Sequence, residues 1–243
     1  MTKHAILNNI EHANLKVKSL NNLTPAAQQM CVSLTISELR PANRNLVIVY
    51  YYENQQYHPM ALLGFEKDEN LYVSDTGWIG GYQPAILQKG PFSVGKTLND
   101  EQQEQLIISV DMDDARVNEV DGQPAFLVFG GQSDYLIHIT NLLEKLYTER
   151  EPTLAYCQAL NSLDLFEPLT LNFETAPEHG LSVSGFYVIN EEKLVNLPGK
   201  QLATLSQSGY LMYAYMSIAS LSNLSALIDV KLSKSNACKK VTR

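Results

Sequence analysis

The chain predicts an α+β fold, with a mainly antiparallel sheet in the N-terminal half, helices and short strands following, and one compact unit overall. Three observations carry this expectation. Residues 46–52, 60–65 and 71–73 are short runs of mostly apolar residues, β-branched and aromatic above all in the first, which suit a pleated, buried surface. The connections between them, Glu53-Asn54-Gln55 and Lys67-Asp68-Glu69-Asn70, are short and polar, as in a meander. After Gly130-Gly131 the spacing turns helical, with Tyr135, Ile139, Leu142 and Leu146 on one face.

Taken in order, residues 1–40 are polar and Asn-rich and read as an N-terminal extension. It holds one short helix near residues 25–31, where Thr24 caps and Pro25 takes the first helical position. Residues 41–230 form the single domain. Within it, residues 106–110 and 125–129 are further strands, joined by an acidic stretch that ends in the turn dipeptide Asp121-Gly122. Ser133 or Asp134 caps the helix that follows, and Pro152 starts a second one with Leu154, Cys157 and Leu160 inward. Residues 169–173 and 181–189 read as strands. Asn190-Glu191-Glu192 opens a short helix, residues 199–207 form another, and Gly209 stops it. Leu211, Tyr213 and Tyr215 alternate and predict a strand, with a helix over 220–228. Residues 231–243 carry Lys231, Lys234, Lys239, Lys240 and Arg243 with no acid, and read as a solvated basic tail that could touch phosphate or anionic lipid.

Composition excludes several classes. At 243 residues, 45% apolar and 18% charged, the chain can bury a sizeable core. Its net charge of −8 argues against a dedicated nucleic-acid binder, which needs a basic face. Cys31, Cys157 and Cys238 are far apart and odd in number, which fits a reducing compartment better than a disulfide scaffold. Lys3, Glu11, Lys16 and Lys18 interrupt the start of the chain, so no signal-peptide core is visible and a cytoplasmic location is expected. Residues 209–228 are free of charge and long enough for one membrane anchor. Ser217, Ser220, Ser222, Asn223 and Ser225 would give that anchor a poor hydrocarbon-facing surface, so membrane insertion is not expected.

Gly90-Pro91-Phe92-Ser93-Val94-Gly95-Lys96-Thr97 matches the phosphate-loop pattern G-x-x-x-x-G-K-T. In such a loop backbone amides hold phosphates, here with Gly95, Lys96 and Thr97 as the contacting residues, and Asp111 after an apolar run would position magnesium. The context is unfavourable. Only Ala85-Ile86-Leu87 precedes it, Pro91 lacks an amide proton, and residues 98–105 are short for a crossover helix. Asp111, Asp113, Asp114 and Asp121 suggest calcium, but Arg116 and Gly122 stand where an EF-hand loop needs Gly and Glu. His4, His12, His58, His138 and His179 lack zinc-ligand spacing, and no catalytic triad can be assembled. No metal and no cofactor is expected.

The aromatic residues Tyr72, Trp78, Tyr82 and Phe92 are interleaved with Gly77, Gly80, Gly81 and Pro84. They could line a groove for an extended peptide or sugar, because aromatic faces give contact area at small entropic cost. Alternatively, Trp78 and Phe92 fill the core beneath an irregular loop.

The order and spacing of Leu62-Leu63-Gly64-Phe65, Glu69-Asn70-Leu71-Tyr72-Val73, Trp78, Tyr82, Pro84 and Pro91-Phe92 resembles the SapC family of bacterial proteins. The resemblance continues through Asp121-Gly122-Gln123-Pro124-Ala125-Phe126, Gly185-Phe186, Glu191-Glu192-Lys193-Leu194 and Gly209-Tyr210-Leu211, over roughly residues 46–228. It departs at Lys89-Gly90, where the family usually has Arg-Tyr, and at Tyr215, near which the family often carries a His. The phosphate-loop match thus arises where this chain leaves the family pattern. The family is named for a protein associated with a bacterial surface layer and its export, and its members often neighbour flavin-dependent halogenases and cupin-like oxygenases. The resemblance implies no reaction. The expected function is an accessory or binding protein that engages a peptide or protein partner linked to surface-layer or secreted material. The alternatives are an enzyme with its site in the groove between residues 78 and 92, and a nucleotide-binding protein using residues 90–97. A permease of the same name needs several membrane spans, which this chain does not have.

Overall fold

Two long hairpins build the central sheet, and the remaining elements cover its faces. The structure, a computed structural model, describes residues 4–19, 28–98, 104–176 and 179–241. The first strands are β1 (His4–Ile6), β2 (Lys16–Val17) and β3 (Cys31–Ser33), followed by a 3-10 turn (Ile36–Glu38) and α1 (Leu39–Ala42). Next come β4 (Val47–Glu53), β5 (Gln56–Leu62), β6 (Val73–Ser74), β7 (Gly77–Trp78), α2 (Ala85–Gln88), β8 (Phe92–Leu98) and β9 (Glu104–Asp111). The short strands β10 (Val117–Asn118) and β11 (Gln123–Pro124) precede α3 (Asp134–Thr148) and α4 (Arg150–Ser162). The chain then forms β12 (Phe166–Ala176), β13 (His179–Ile189), α5 (Glu191–Val195), α6 (Gly199–Gln207), α7 (Tyr210–Ser220) and α8 (Leu224–Val241).

The five-stranded sheet has the order β12-β13-β4-β5-β3 and is antiparallel throughout. Asn54 and Gln55, which join β4 to β5, have φ of 49° and 62°, the positive pair that a two-residue hairpin turn demands. The two faces of β4 alternate between two cores. Ile48 and Tyr50 pack with Tyr156, Leu160 and Ala214, while Val47 and Val49 pack with Leu62, Phe186 and Leu227. β13 meets β4 only at Tyr50 and Tyr51, and the Ile48 amide donates instead to Ser220 Oγ at 2.9 Å. A third core lies apart, where α3 covers the sheet β1-β9-β8 with Leu136, Ile139 and Leu143 against Phe92 and Val110.

Several expectations change. The described parts of residues 1–40, read as an extension, are woven into the fold. β1 pairs with β9, β2 pairs with β10 and β11, and β3 pairs with β5, while Leu15, Val17, Val32 and Leu39 are buried. Of the helix expected near residues 25–31, residues 25–27 lie outside the described residues, and Cys31 begins a strand. Residues 125–129 are not a strand. Ala125 and Phe126 are buried, but Gly130 at φ +84° turns the chain, and Val128 and Phe129 stand 97% and 100% exposed. The strand expected at residues 71–73 shrinks to β6. The alternation of Leu211, Tyr213 and Tyr215 is coincidental, because the buried positions Ala214, Ser217 and Ser220 repeat every three residues and form α7.

The basic tail begins inside a helix. Lys231 of α8 is 7% exposed and ion-pairs with Glu66 and with Glu69, the latter at 2.6 Å. The stretch Tyr210–Lys234 is long and apolar enough to cross a membrane by length and composition. Its polar side chains fasten it to the sheet. Ser217 bonds Tyr50 and Asn223 bonds the carbonyls of Asn43 and Leu46, in addition to the Ser220 contact.

Candidate functional site

Trp78 ends the short hairpin of β6 and β7, whose turn is Asp75-Thr76 and whose second strand starts at Gly77 with φ +124°. Its ring stacks on Tyr72 at 5.4 Å and 20°. Tyr72 is held in turn, its amide by Asn70 Oδ1 and its hydroxyl by the Asn45 carbonyl, both at 2.9 Å. Gly80 lies against this pair, where a Cβ would sit 2.9 Å from both rings, so only glycine fits. The indole Nε1–H is buried and meets no acceptor among the described residues. Buried donors are rarely left unpaired in folded proteins.

The loop after Trp78 is anchored by Glu38, which is 1% exposed. One carboxylate oxygen accepts from the Thr35 amide (2.8 Å) and hydroxyl (3.0 Å). The other accepts from the Tyr82 hydroxyl (2.9 Å) and from the Ala85 amide at the start of α2 (2.7 Å). Burial pushes the Tyr82 hydroxyl far up, and the negative charge of Glu38 adds to it. Thr35-Ile36-Ser37-Glu38 matches the T-x-x-E capping pattern, so this turn had a legible signal, although its reach to Tyr82 and Ala85 did not.

Trp78 forms one wall of a cleft of about 330 Å³ between the sheet-side core and the α3-side core. Gln83 and Gln88 come from the loop and α2, Lys18 follows β2, and Gln123 lies in β11. Tyr135 and His138 come from successive turns of α3, whose N-terminus is fixed by Ser133 accepting from the Leu136 amide. Arg116 closes the site at 8% exposure, with Nε and Nη2 donating to Asp114 at 2.9 and 2.6 Å. Burial would raise the Asp114 carboxyl, but the hydrogen bonds from Arg116 outweigh it and hold that carboxyl below its ordinary value. Burial pushes the Tyr135 hydroxyl up to about 12. Burial lowers Lys89, and the like charge of Arg116 lowers it further.

The four aromatic residues expected to form a groove divide. Tyr72 and Trp78 stack, and Tyr82 turns to Glu38. Phe92 is fully buried in the α3-side core, 6.2 Å from Tyr135. Only Trp78 of the four lines the cleft. Arg116 and Gln88 belong to it without a sequence signal, and the signals at Gln123 (a family motif) and Tyr135 (a helix face) did not place them at a site.

Gly95, Lys96 and Thr97 lie exposed in β8, paired with β9 from Phe92 to Leu98. Successive amides of a strand point in opposite directions, so they do not converge on a phosphate as a loop does. Lys96 sits 5.4 Å over the Tyr147 ring. The acidic residues also separate. Asp114 pairs with Arg116, Asp121 faces Lys18 at 3.9 Å, and no group of three potential metal ligands forms among the described residues. Cys157 is buried, which pushes its thiol up to about 12 and makes it a poor nucleophile.

Comparison with curated proteins and with solved structures finds no match for the chain. A family model described as SapC matches residues 7–227, which include every residue of the cleft. The chain therefore belongs to the SapC family.

Proposed function

We propose that this protein is an accessory or binding protein that takes a segment of a peptide or protein partner into the cleft beside Trp78. The carrying observation is the placement of that tryptophan. It is the only one in the chain, it is held by stacking on Tyr72 and by the close approach of Gly80, and it lines the cleft while its N–H is buried against Gly80. The rest of the lining supports the reading, because the amides of Gln83, Gln88 and Gln123 can both donate to and accept from a peptide backbone. His138 shares the cleft with Ser19 and Thr76, but no hydrogen bond joins it to either among the described residues, which favours binding over a nucleophile and base pair. The family name suggests that the partner is linked to surface-layer or secreted material. The free thiols Cys31 and Cys157 suit meeting it in the reducing cytoplasm.

The test is affinity capture from the native cell with wild type, Trp78→Ala and Trp78→Phe, each checked for folding by thermal melting. A partner retained by wild type, weakened by Phe and lost with Ala is expected. Capture of the same proteins by all three would end this reading.

A further inference from the structure

Resting on that cleft as the binding site, we propose that the bound segment presents a carboxylate and that Arg116 receives it. The first support is charge. The chain carries 26 acidic against 18 basic residues, yet Lys18 and Arg116 line the cleft and no Asp or Glu does so among the described residues. The acids that face these cations, Asp121 and Asp114, lie outside the lining, so the cleft itself presents cationic donors and no carboxylate to a ligand.

The second support is geometry. Asp114 engages Arg116 through Nε and Nη2, which uses two of the five guanidinium N–H donors and fixes the plane of the fork. Arg116 is nearly buried, so a further hydrogen bond from it forms in a low-dielectric recess where charge-assisted bonds are strongest. The Tyr135 hydroxyl stands at the same recess, 3.5 Å from where a Cβ on Gly90 would lie. Lys89 is held behind the lining, its Nζ donating to the Phe92 carbonyl at 3.0 Å, and adds to the positive field. Burial is the main reason Lys89 is lowered, and Asp111 and Asp114 oppose the like charge of Arg116 there.

The third support selects a carboxylate over a phosphate. Lys18 is half exposed and faces Asp121, which leaves Arg116 as the buried cation of the lining. Asp114 already balances the Arg116 charge, so a ligand gains directional hydrogen bonds from the remaining N–H donors of the fork; that suits a planar carboxylate, whereas a phosphate dianion would bring two uncompensated charges into the recess.

The full chain reports on its own cleft, because Trp78 is the sole tryptophan. Its fluorescence would be followed while titrating a pooled library of acetylated pentapeptide amides with Glu fixed at the centre, a twin pool with Gln at that position, and inorganic phosphate. The expected result is that the Glu pool binds about tenfold more tightly than the Gln pool, as one charge-assisted hydrogen-bond pair provides. Added salt should narrow the gap. Arg116→Lys keeps the charge but loses the fork and should remove most of the preference. A double variant, Asp114→Asn with Arg116→Gln, replaces the ion pair by a neutral one and should abolish it, with thermal melts verifying the fold of both.

Equal binding of the two pools overturns the carboxylate while leaving the cleft as a binding site. Tighter binding of phosphate than of the Glu pool overturns it as well, as does a Glu preference that survives in the double variant. Binding of neither pool overturns both the inference and the cleft reading beneath it.

Discussion

Replacing Glu38 by Gln changes one atom of a buried carboxylate and tests whether the Trp78 loop is anchored as described. Glu38 accepts four hydrogen bonds, two at each oxygen. In the Glu38→Gln variant one oxygen becomes an NH2 group, and either orientation of the amide turns that group toward two donors. Each pair of donors contains one hydroxyl and one backbone amide, Thr35 Oγ1 with Thr35 N, or Tyr82 OH with Ala85 N. The hydroxyl can rotate and accept from the new NH2, but the backbone amide cannot. The substitution therefore strands one buried N–H, which costs about 1–3 kcal/mol, and converts the remaining charge-assisted bonds to weaker neutral ones. Removing a buried charge offsets part of this. A net loss of about 2–4 kcal/mol is expected, roughly 4–16 °C in Tm for a chain of this size. Urea unfolding followed by circular dichroism measures it, with Trp78 emission reporting the loop. Tyr82→Phe removes only one of the four bonds and should cost about 1–2 kcal/mol. A Glu38→Gln protein within about 0.5 kcal/mol of wild type, with unchanged Trp78 emission, would refute the anchoring argument.

Three further outcomes follow from the same structure. Tyr50→Phe deletes a fully buried hydroxyl that contacts Tyr156 OH at 2.9 Å and Ser217 Oγ at 2.8 Å, and should cost about 1–2 kcal/mol by urea unfolding, whereas a neutral result would contradict this network. Lys231→Met leaves Glu66 and Glu69 without their cation and should destabilise near neutral pH by about 1–3 kcal/mol, discounted because Glu66 is 53% exposed. Burial alone would lower Lys231, but the hydrogen bonds it donates to Glu66 and Glu69 raise it above 10.5, so its contribution is fully present below that value and is lost as pH rises through the raised one. The gap between wild type and Lys231→Met should shrink as pH rises through the raised value, and a gap that widens there would contradict the pairing. MgATP should leave the Tm of both wild type and Lys96→Ala unchanged, since Lys96 sits in a strand, and a Lys96-dependent rise would reinstate a phosphate site.

Short-range signals were largely readable. Ser133 and Asn190 cap their helices as their side chains suggest, accepting from the Leu136 and Lys193 amides, and Gly209 at φ +77° stops α6. The polar linkers at Glu53-Asn54-Gln55 and the apolar runs beside them became β4 and β5. Signals failed where a pattern fitted two structures. Leu211, Tyr213 and Tyr215 alternate like a strand, yet they sit on a helix whose buried face is partly serine, because Ser217 and Ser220 have partners on β4. Residues 125–129 are apolar like a strand, yet half of that run is an exposed turn braced by Asn9 on the Gly130 carbonyl. The candidate site was legible only at Trp78. Its partners Arg116, Gln123 and Tyr135 come from segments 38 or more positions away, and although Gln123 lies in a family motif and Tyr135 on a helix face, nothing local shows that they meet Trp78.

By itself the sequence determined the α+β class, most helix and hairpin positions, and the family, because these rest on local periodicity, turn chemistry and the ordered spacing of short motifs. Only the tertiary structure decided that Phe92 belongs to one core and Trp78 to a cleft beside it. It also decided that G-x-x-x-x-G-K-T is a strand and that Glu38 ties two distant loops together. Those facts depend on which segments meet across the fold, and burial and hydrogen-bond satisfaction settle that choice between residues far apart in the chain.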